Sequence, residues 1–359
     1  MTELLQQHRV LICAGTGGVG KTSMAASLGV LAAQSGLRTL VLTIDPALRL
    51  AQALGIDSQA GVEVAVPGVE RLWASMIDPR REFDEFVLGS LDKGMAKGLL
   101  NNRLYQQLVS NLSGSQEFTS LVRLLVSVRS KQYDLVILDT PPSQNAVDFL
   151  LAPERLYALF QESVIGWFSD VGGAKSFMQR TLHRGTRVVT AALEAVTGST
   201  FIHELKDFFS HISLLQDKVA RVSSEVRNLL RDSQTGFILV TGFDESKLKE
   251  ALEFEKDLHQ QQLRLKCVIV NRWFPEWSVN DSRWPVSWDE DRDFQRLKEF
   301  YGQFAEFFRG RQVTFEQFVA QLGNGVPVIK LPDFKNNVQG LEDLRQVAAI
   351  IVEKWRSVK

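Results

Sequence analysis

Short apolar runs recur along the chain at "RVLICA" (9–14), "TLVLTI" (39–44), "RLWASMI" (71–77), "YDLVIL" (133–138), "GFILVT" (236–241), "CVIV" (267–270) and "VPVIKL" (326–331). Several contain almost no polar residue. Strands covered by helices on both faces have that character, whereas strands with one wet face alternate. Between the runs the apolar spacing becomes helical. The segment after Gly20, "KTSMAASLGVLAAQ", predicts a helix capped at Gly36. Strand, helix and strand in that order predict an α/β fold, a doubly wound and mostly parallel sheet flanked by helices.

Two stretches, 79–132 and 153–233, keep helical spacing with no convincing strand, and predict an all-helical subdomain inserted in a single domain of 1–359. The clearest pattern is Leu205, Phe208, Ile212, Leu215, Val219, Val222, Val226 and Leu229, alternating steps of three and four. That period favours a long helix with a coiled-coil-like seam, packed inside the subdomain or against a partner. Phe294, Phe300, Phe304 and Phe307 form an aromatic stripe expected in a core. The tryptophan-rich 273–288 suits either a core or an interface. The last helix carries Leu341, Leu344, Val347, Ile351 and Trp355 on one face. It is expected to cover the final strand, with a membrane-surface tail as the alternative.

Composition narrows the class without deciding it. The chain has 359 residues, is 45% hydrophobic and 23% charged, and has a formal net charge of −1. Near-neutrality gives no whole-chain case for nucleic acid or anionic membrane. Cys13 and Cys267, both in strand-like runs, read as buried and reduced. The five histidines form no metal-spaced cluster. With no signal segment and no bilayer-length apolar run, a cytoplasmic location is expected.

Chemistry enters at "CAGTGGVGKTS" (13–23), which has the spacing G-x-x-x-x-G-K-[ST] from Gly15 to Thr22. It follows a strand and opens a helix, as a phosphate loop must. Gly15, Thr16, Gly17, Gly18, Val19 and Gly20 supply backbone amides, and the helix start at Lys21, Thr22 and Ser23 adds positive potential. Lys21 neutralises phosphate oxygens and Thr22 offers a hydroxyl to Mg²⁺. Asp45, in "LTIDPALRLAQALG", ends a strand on the same edge and can orient an attacking water; the other reading is a helix cap. Asp139, in "LDTPPSQNA", ends another and can hold the Mg²⁺ hydration shell. The stiff Pro141–Pro142 turn after it suits a nucleotide switch. Asn271, after "CVIV", can pair with both N6 and N7 of adenine, and the absence of N-K-x-D spacing favours ATP over GTP. The "IKLPDF" loop (329–334), with Pro332, is placed to wall the base.

Together these elements resemble the ArsA-type ATPases, which include arsenite-efflux ATPases and the guided-entry factors that target tail-anchored membrane proteins. The likeness covers most of the chain and is greatest to the bacterial branch, with "GGVGKT", "TIDPA" and "DTPPS". It implies a P-loop sheet with a helical subdomain, and Mg²⁺-dependent ATP hydrolysis coupled to dimer opening and closing. It also implies a protein client or partner subunit, as a homodimer or paired with a related ATPase, with only indirect membrane contact and no nucleic acid. Three departures stand out. Thr16 occupies the place of a signature lysine that reaches the partner's nucleotide; residues 272–310 lack the C-x-x-C zinc clasp; and two isolated cysteines do not make a metalloid site. Without that lysine, slow hydrolysis in cis is expected, Arg49 being the alternative cation. Two other readings are a nucleotide-gated scaffold with negligible hydrolysis and a positioning ATPase of the ParA/MinD kind.

Overall fold

The computed structural model describes residues 1–44, 49–57, 60–111, 115–140, 199–273, 292–323, 325–334 and 338–358. Its centre is an eight-stranded sheet. The strands are β1 (Val10–Gly15), β2 (Thr39–Thr43), β3 (Glu63–Ala65), β4 (Leu72–Met76), β5 (Leu135–Asp139), β6 (Thr235–Gly242), β7 (Leu265–Trp273) and β8 (Val328–Pro332). Their order is β3-β4-β2-β5-β1-β6-β7-β8, and every neighbouring pair is parallel except β3 with β4. The short antiparallel β3 was not legible as an apolar run, because its residues are half-buried or exposed. The run read as a strand over 326–331 becomes β8, which extends to Pro332 and so takes in the first four residues of the loop read over 329–334.

The central strands are apolar through their middles because both faces are covered. Leu11, Cys13, Val41, Ile137, Ile238 and Ile269 face one cluster with α1 (Thr2–Gln7), α2 (Lys21–Gln34), α3 (Arg49–Leu54) and α11 (Gly340–Val358). Val10, Ile12, Leu40, Leu42, Val136 and Leu239 face the other. There the cover is α7 (Ser115–Arg129), the end of α8 (Ser199–Arg231), α9 (Glu245–Gln260) and α10 (Arg292–Gln321). Successive strand residues point to opposite faces, so the middle of a doubly covered strand is apolar, and the buried polar residues Thr39, Thr43 and Asp139 fall at strand ends.

A third buried cluster lies apart from the sheet. It joins α4 (Pro79–Ser90), α5 (Lys93–Leu100), α6 (Arg103–Asn111) and α7 to the first half of α8 through Phe83, Leu99, Phe118, Ile212 and Val219. The α8 seam is therefore internal: Phe208, Ile212, Leu215 and Val219 serve the helical cluster, while Val226 and Leu230 pack at the sheet. Arg123 of α7 ties this layer to the sheet edge. It pairs with Glu63 of β3 at 2.7 Å and Glu82 of α4 at 3.7 Å, and Tyr133 donates to the same Glu63 at 2.6 Å.

One expectation requires correction. The aromatic stripe is not uniformly core: Phe300 and Phe307 are 64% and 54% exposed. The buried register of α10 runs instead through Phe308, Phe315 and Phe318, where the helix meets the sheet's cover. The last helix, α11, covers the final strand as expected: Leu344, Val347, Ile351 and Trp355 are buried in the cluster that contains α2 and β8. Among the described residues no helix is long and apolar enough to cross a membrane.

Cys13 and Cys267 are fully buried and unbridged. Both lie across from Ile238, on either side of β6. Burial raises both thiol pKa values, with the nearby Asp139 carboxylate adding to the effect at Cys13; Cys267 is pushed up to about 12. Both thiols are therefore expected to resist an aromatic disulfide reagent in the native protein near neutral pH, and both to react on unfolding. Rapid native reaction of either would contradict its place in the sheet.

Candidate functional site

The carboxyl ends of the central strands line up. Cys13 of β1 and Thr43 of β2 are both in register with Asp139 of β5, while Gly15 pairs with Val240 and Asn271 with Gly242. In an open α/β sheet, ligands bind along this edge. The chain leaves β1 at Gly15, whose φ is 151°, and an added Cβ there would collide with the Val240 carbonyl oxygen. Gly18 and Gly20 have φ of 77° and 89°. These left-handed residues turn the loop so that α2 starts at Lys21 with Gly20 as its N-cap. The N-cap residue, Gly20, supplies no side-chain capping bond to α2. A phosphate is the natural ligand for amides presented in this way.

Lys21 is buried, and its Nζ donates to the Thr16 carbonyl oxygen at 2.8 Å. The ammonium is thus held within the loop rather than trailing into solvent. Thr22 Oγ1 donates to Asp139 Oδ2 at 2.7 Å, and Thr43 Oγ1 donates to the same oxygen at 3.0 Å. Asp139 is only 1% exposed. A hydroxyl beside a carboxylate oxygen is a hard, all-oxygen donor set, and that chemistry fits Mg²⁺ better than a softer metal. Thr22 and Asp139 would therefore hold the ion, partly through water. Among the described residues no cluster of His, Cys, Asp and Glu offers another metal site.

Asn271 approaches the loop from β7. Its Nδ2 donates to the Val19 carbonyl oxygen at 2.9 Å, and a Cβ on Gly20 would lie 2.7 Å from that same nitrogen. One amide hydrogen therefore braces the phosphate loop, leaving the carbonyl and second hydrogen for another partner. Pro332 lies on the next strand, in register with Trp273. Asp45 lies outside the described residues, as do 141–198, which hold the Pro-rich turn, and 274–291, with most of the tryptophan-rich segment.

A cavity of about 710 Å³ opens over the loop. Gly18, Gly20, Lys21 and Thr22 line one side; Arg49, Gln52, Thr140 and Arg272 are also on its wall. Its volume is in the range of small-molecule and cofactor sites. The charged groups on the wall are Lys21, Arg49 and Arg272, with no carboxylate among the described lining residues. A low-dielectric cleft of one sign concentrates an anionic ligand. Asn271 and Pro332 are not on that wall. The sequence reading overlooked Thr43 and Arg272. Thr43 was in sight as the polar end of "TLVLTI", one residue before Ile44 and two before Asp45.

The family model for the anion-transporting ATPases matches residues 8–353. The chain is 27% identical over 275 residues to a Paramecium tetraurelia protein named ATPase ASNA1 homolog 1, covering 76% of this chain and 77% of that one. It is 23% identical over 361 residues to ATPase GET3 of Rhodotorula glutinis, covering 99% and 91%. ATPase GET3B of Arabidopsis thaliana is 27% identical over 291 residues, covering 75% and 65%.

The clasp between loop and β7 is testable. Gly20→Ala combines a left-handed φ with a Cβ 2.7 Å from Asn271 Nδ2. It is expected to lower unfolding free energy by about 1–3 kcal/mol, the range for a forced backbone conformation, and to weaken nucleotide binding. Denaturant titration would check the first effect, and parent-like stability would contradict the close approach.

Proposed function

The chain belongs to the anion-transporting ATPase (ArsA) family, and from that premise we propose that its nucleotide state switches a helical subdomain, 79–132 with 153–233, to control binding of a protein client or partner. That it is an ATPase follows from the family and from its ATPase relatives. The observation that supports the switch is the 33-residue helix α8. One half of its seam belongs to the separate helical cluster and the other to the sheet's cover. A continuous helix of that length spans about 50 Å. It links the two packing units as one rigid element, so a change at the sheet edge has a mechanical route to the helical layer.

In this reading the loop from Gly15 to Gly20 and the start of α2 cradle the phosphates, Lys21 neutralises their oxygens, and Thr22 with Asp139 holds Mg²⁺. Bound Mg²⁺ supplies charge neutralisation between the phosphates. Asp45 orients the attacking water, and Asn271 with Pro332 frames the adenine. The partner is a protein client, held by a homodimer or by a pair with a related ATPase, with neither nucleic acid nor direct membrane contact. Thr16 favours a second reading, a nucleotide-gated scaffold with negligible hydrolysis, because a threonine cannot reach across an interface as a lysine would.

Four measurements test these readings. Lys21→Ala is expected to abolish tight ATP binding, which calorimetry would register; unchanged affinity would reject the cradle. Asp45→Asn should bind ATP yet turn over roughly 10²-fold more slowly or worse. Negligible Mg²⁺-dependent turnover in the parent itself would establish the scaffold instead. The amides of α4–α7 and α8 should change hydrogen-exchange protection between ADP and a non-hydrolysable ATP analogue. Identical exchange across those helices would remove the switch.

A further inference from the structure

Residues 271–273 end β7 in an irregular way. The β7–β8 register shifts between Val270 and Trp273. Arg272, inside that shift, has a φ of 56°. A left-handed conformation is uncommon for a long L side chain. It persists only where the surroundings over-determine it, and such residues gather at ligand sites.

The surroundings are in view on both sides. Asn271 is 8% exposed and donates its side-chain amide to Val19 in the phosphate loop. Trp273 is equally buried, with ring centroids 4.2 Å from Phe243 and 4.6 Å from Phe315, and the Lys330 ammonium lies 4.2 Å over its own ring. Asp333 also donates its backbone N–H to the Trp273 carbonyl oxygen at 3.1 Å. With both neighbours pinned, the extra residue of the bulge is thrown outward. Arg272 is exposed, and it lines the cavity that Lys21 and Thr22 also line. A bulge that re-aims one side chain next to a site is a recurrent device.

We propose that Arg272 is a nucleotide-binding residue acting in cis, its guanidinium contacting the polyphosphate of the nucleotide held by this same chain. Three features favour phosphate over base as its target. Asn271, its immediate neighbour, touches the phosphate loop itself, at Val19 and beside Gly20. The described cavity wall carries cations and no carboxylate, so an anion is the ligand it concentrates. A planar guanidinium also offers paired donors that match two phosphate oxygens. Thr16 brings no side-chain charge to the loop, so Arg272 adds in cis to the positive charge of Lys21 and Arg49 on the wall. This rests on the reading of the cavity as an ATP site.

The test uses the full chain, calorimetry and two probes: ATP with Mg²⁺, and inorganic tripolyphosphate, which has no base. Arg272→Ala and Arg272→Gly are each expected to weaken both probes by about tenfold or more, the scale of a lost charge-assisted contact. Arg272→Lys should recover part of the loss. Glycine is relaxed at this φ, so Arg272→Gly should melt no lower than the parent, separating lost binding from lost folding. Parent-like ATP affinity in the Ala and Gly variants would overturn the proposal while leaving the ATP site intact. Weakened ATP with unchanged tripolyphosphate would overturn it too, placing the guanidinium on the base. A parent that binds neither probe would instead sink the reading of the cavity, and this assignment with it.

Discussion

Asp139 is a carboxylate almost wholly removed from water, and the hydroxyls of Thr22 and Thr43 meet it at 2.7 and 3.0 Å on one oxygen. A buried charge without such partners would cost several kcal/mol. Satisfying it fixes three things at once. The end of β5 is held level with the end of β2, the first turn of α2 is drawn against the sheet edge, and the phosphate loop between β1 and α2 is left with a set span to cross. The glycines then follow from that span. Gly15 must pass under the Val240 carbonyl, and Gly20 must turn beside Asn271, where no Cβ has room.

The same edge explains why binding residues and folding residues are hard to separate here. Asn271 Nδ2 serves the loop as a brace, whatever its amide does for a base. Trp273 serves the core between Phe243, Phe315 and Lys330, yet it anchors one side of the bulge that exposes Arg272. Substitution at either anchor changes packing and site geometry together. A ligand effect at those two positions is therefore not evidence of ligand contact, and informative substitutions belong at the outward-facing residue.

Much of this architecture was legible in the sequence, for a physical reason. Strands covered on both faces, such as β1 and β5, are apolar until they reach the sheet edge, and the phosphate-loop spacing is dictated by backbone geometry that few residues tolerate. The α8 seam was legible as a period; that the chain covers it itself was not, since periodicity records an apolar face and not its partner. β3 escaped because an edge strand of three half-buried or exposed residues has no apolar signature. Phe300 and Phe307 were misplaced because apolar spacing does not show which neighbouring positions are covered: Phe307 is exposed next to buried Phe308, and Phe300 lies between buried Phe294 and Ala305. The positive φ of Arg272 had no local signal: it arises from anchors on Val19, Phe243 and Phe315, distant in sequence.

Charge at the cavity ties these strands of reasoning to the chemistry. The loop holds one ammonium, Lys21, already turned onto the Thr16 carbonyl, and the side chain at position 16 adds none. Further cations on the wall add to the attraction that Lys21 and the α2 N-terminus exert on an anionic ligand. Arg49 and Arg272 stand on the wall from opposite flanks of the sheet, one at the start of α3, which follows β2, and the other at the end of β7. Charge drawn from two flanks lies on both sides of the loop. All three cations belong to this one chain, so the positive charge on the described wall is drawn from a single subunit.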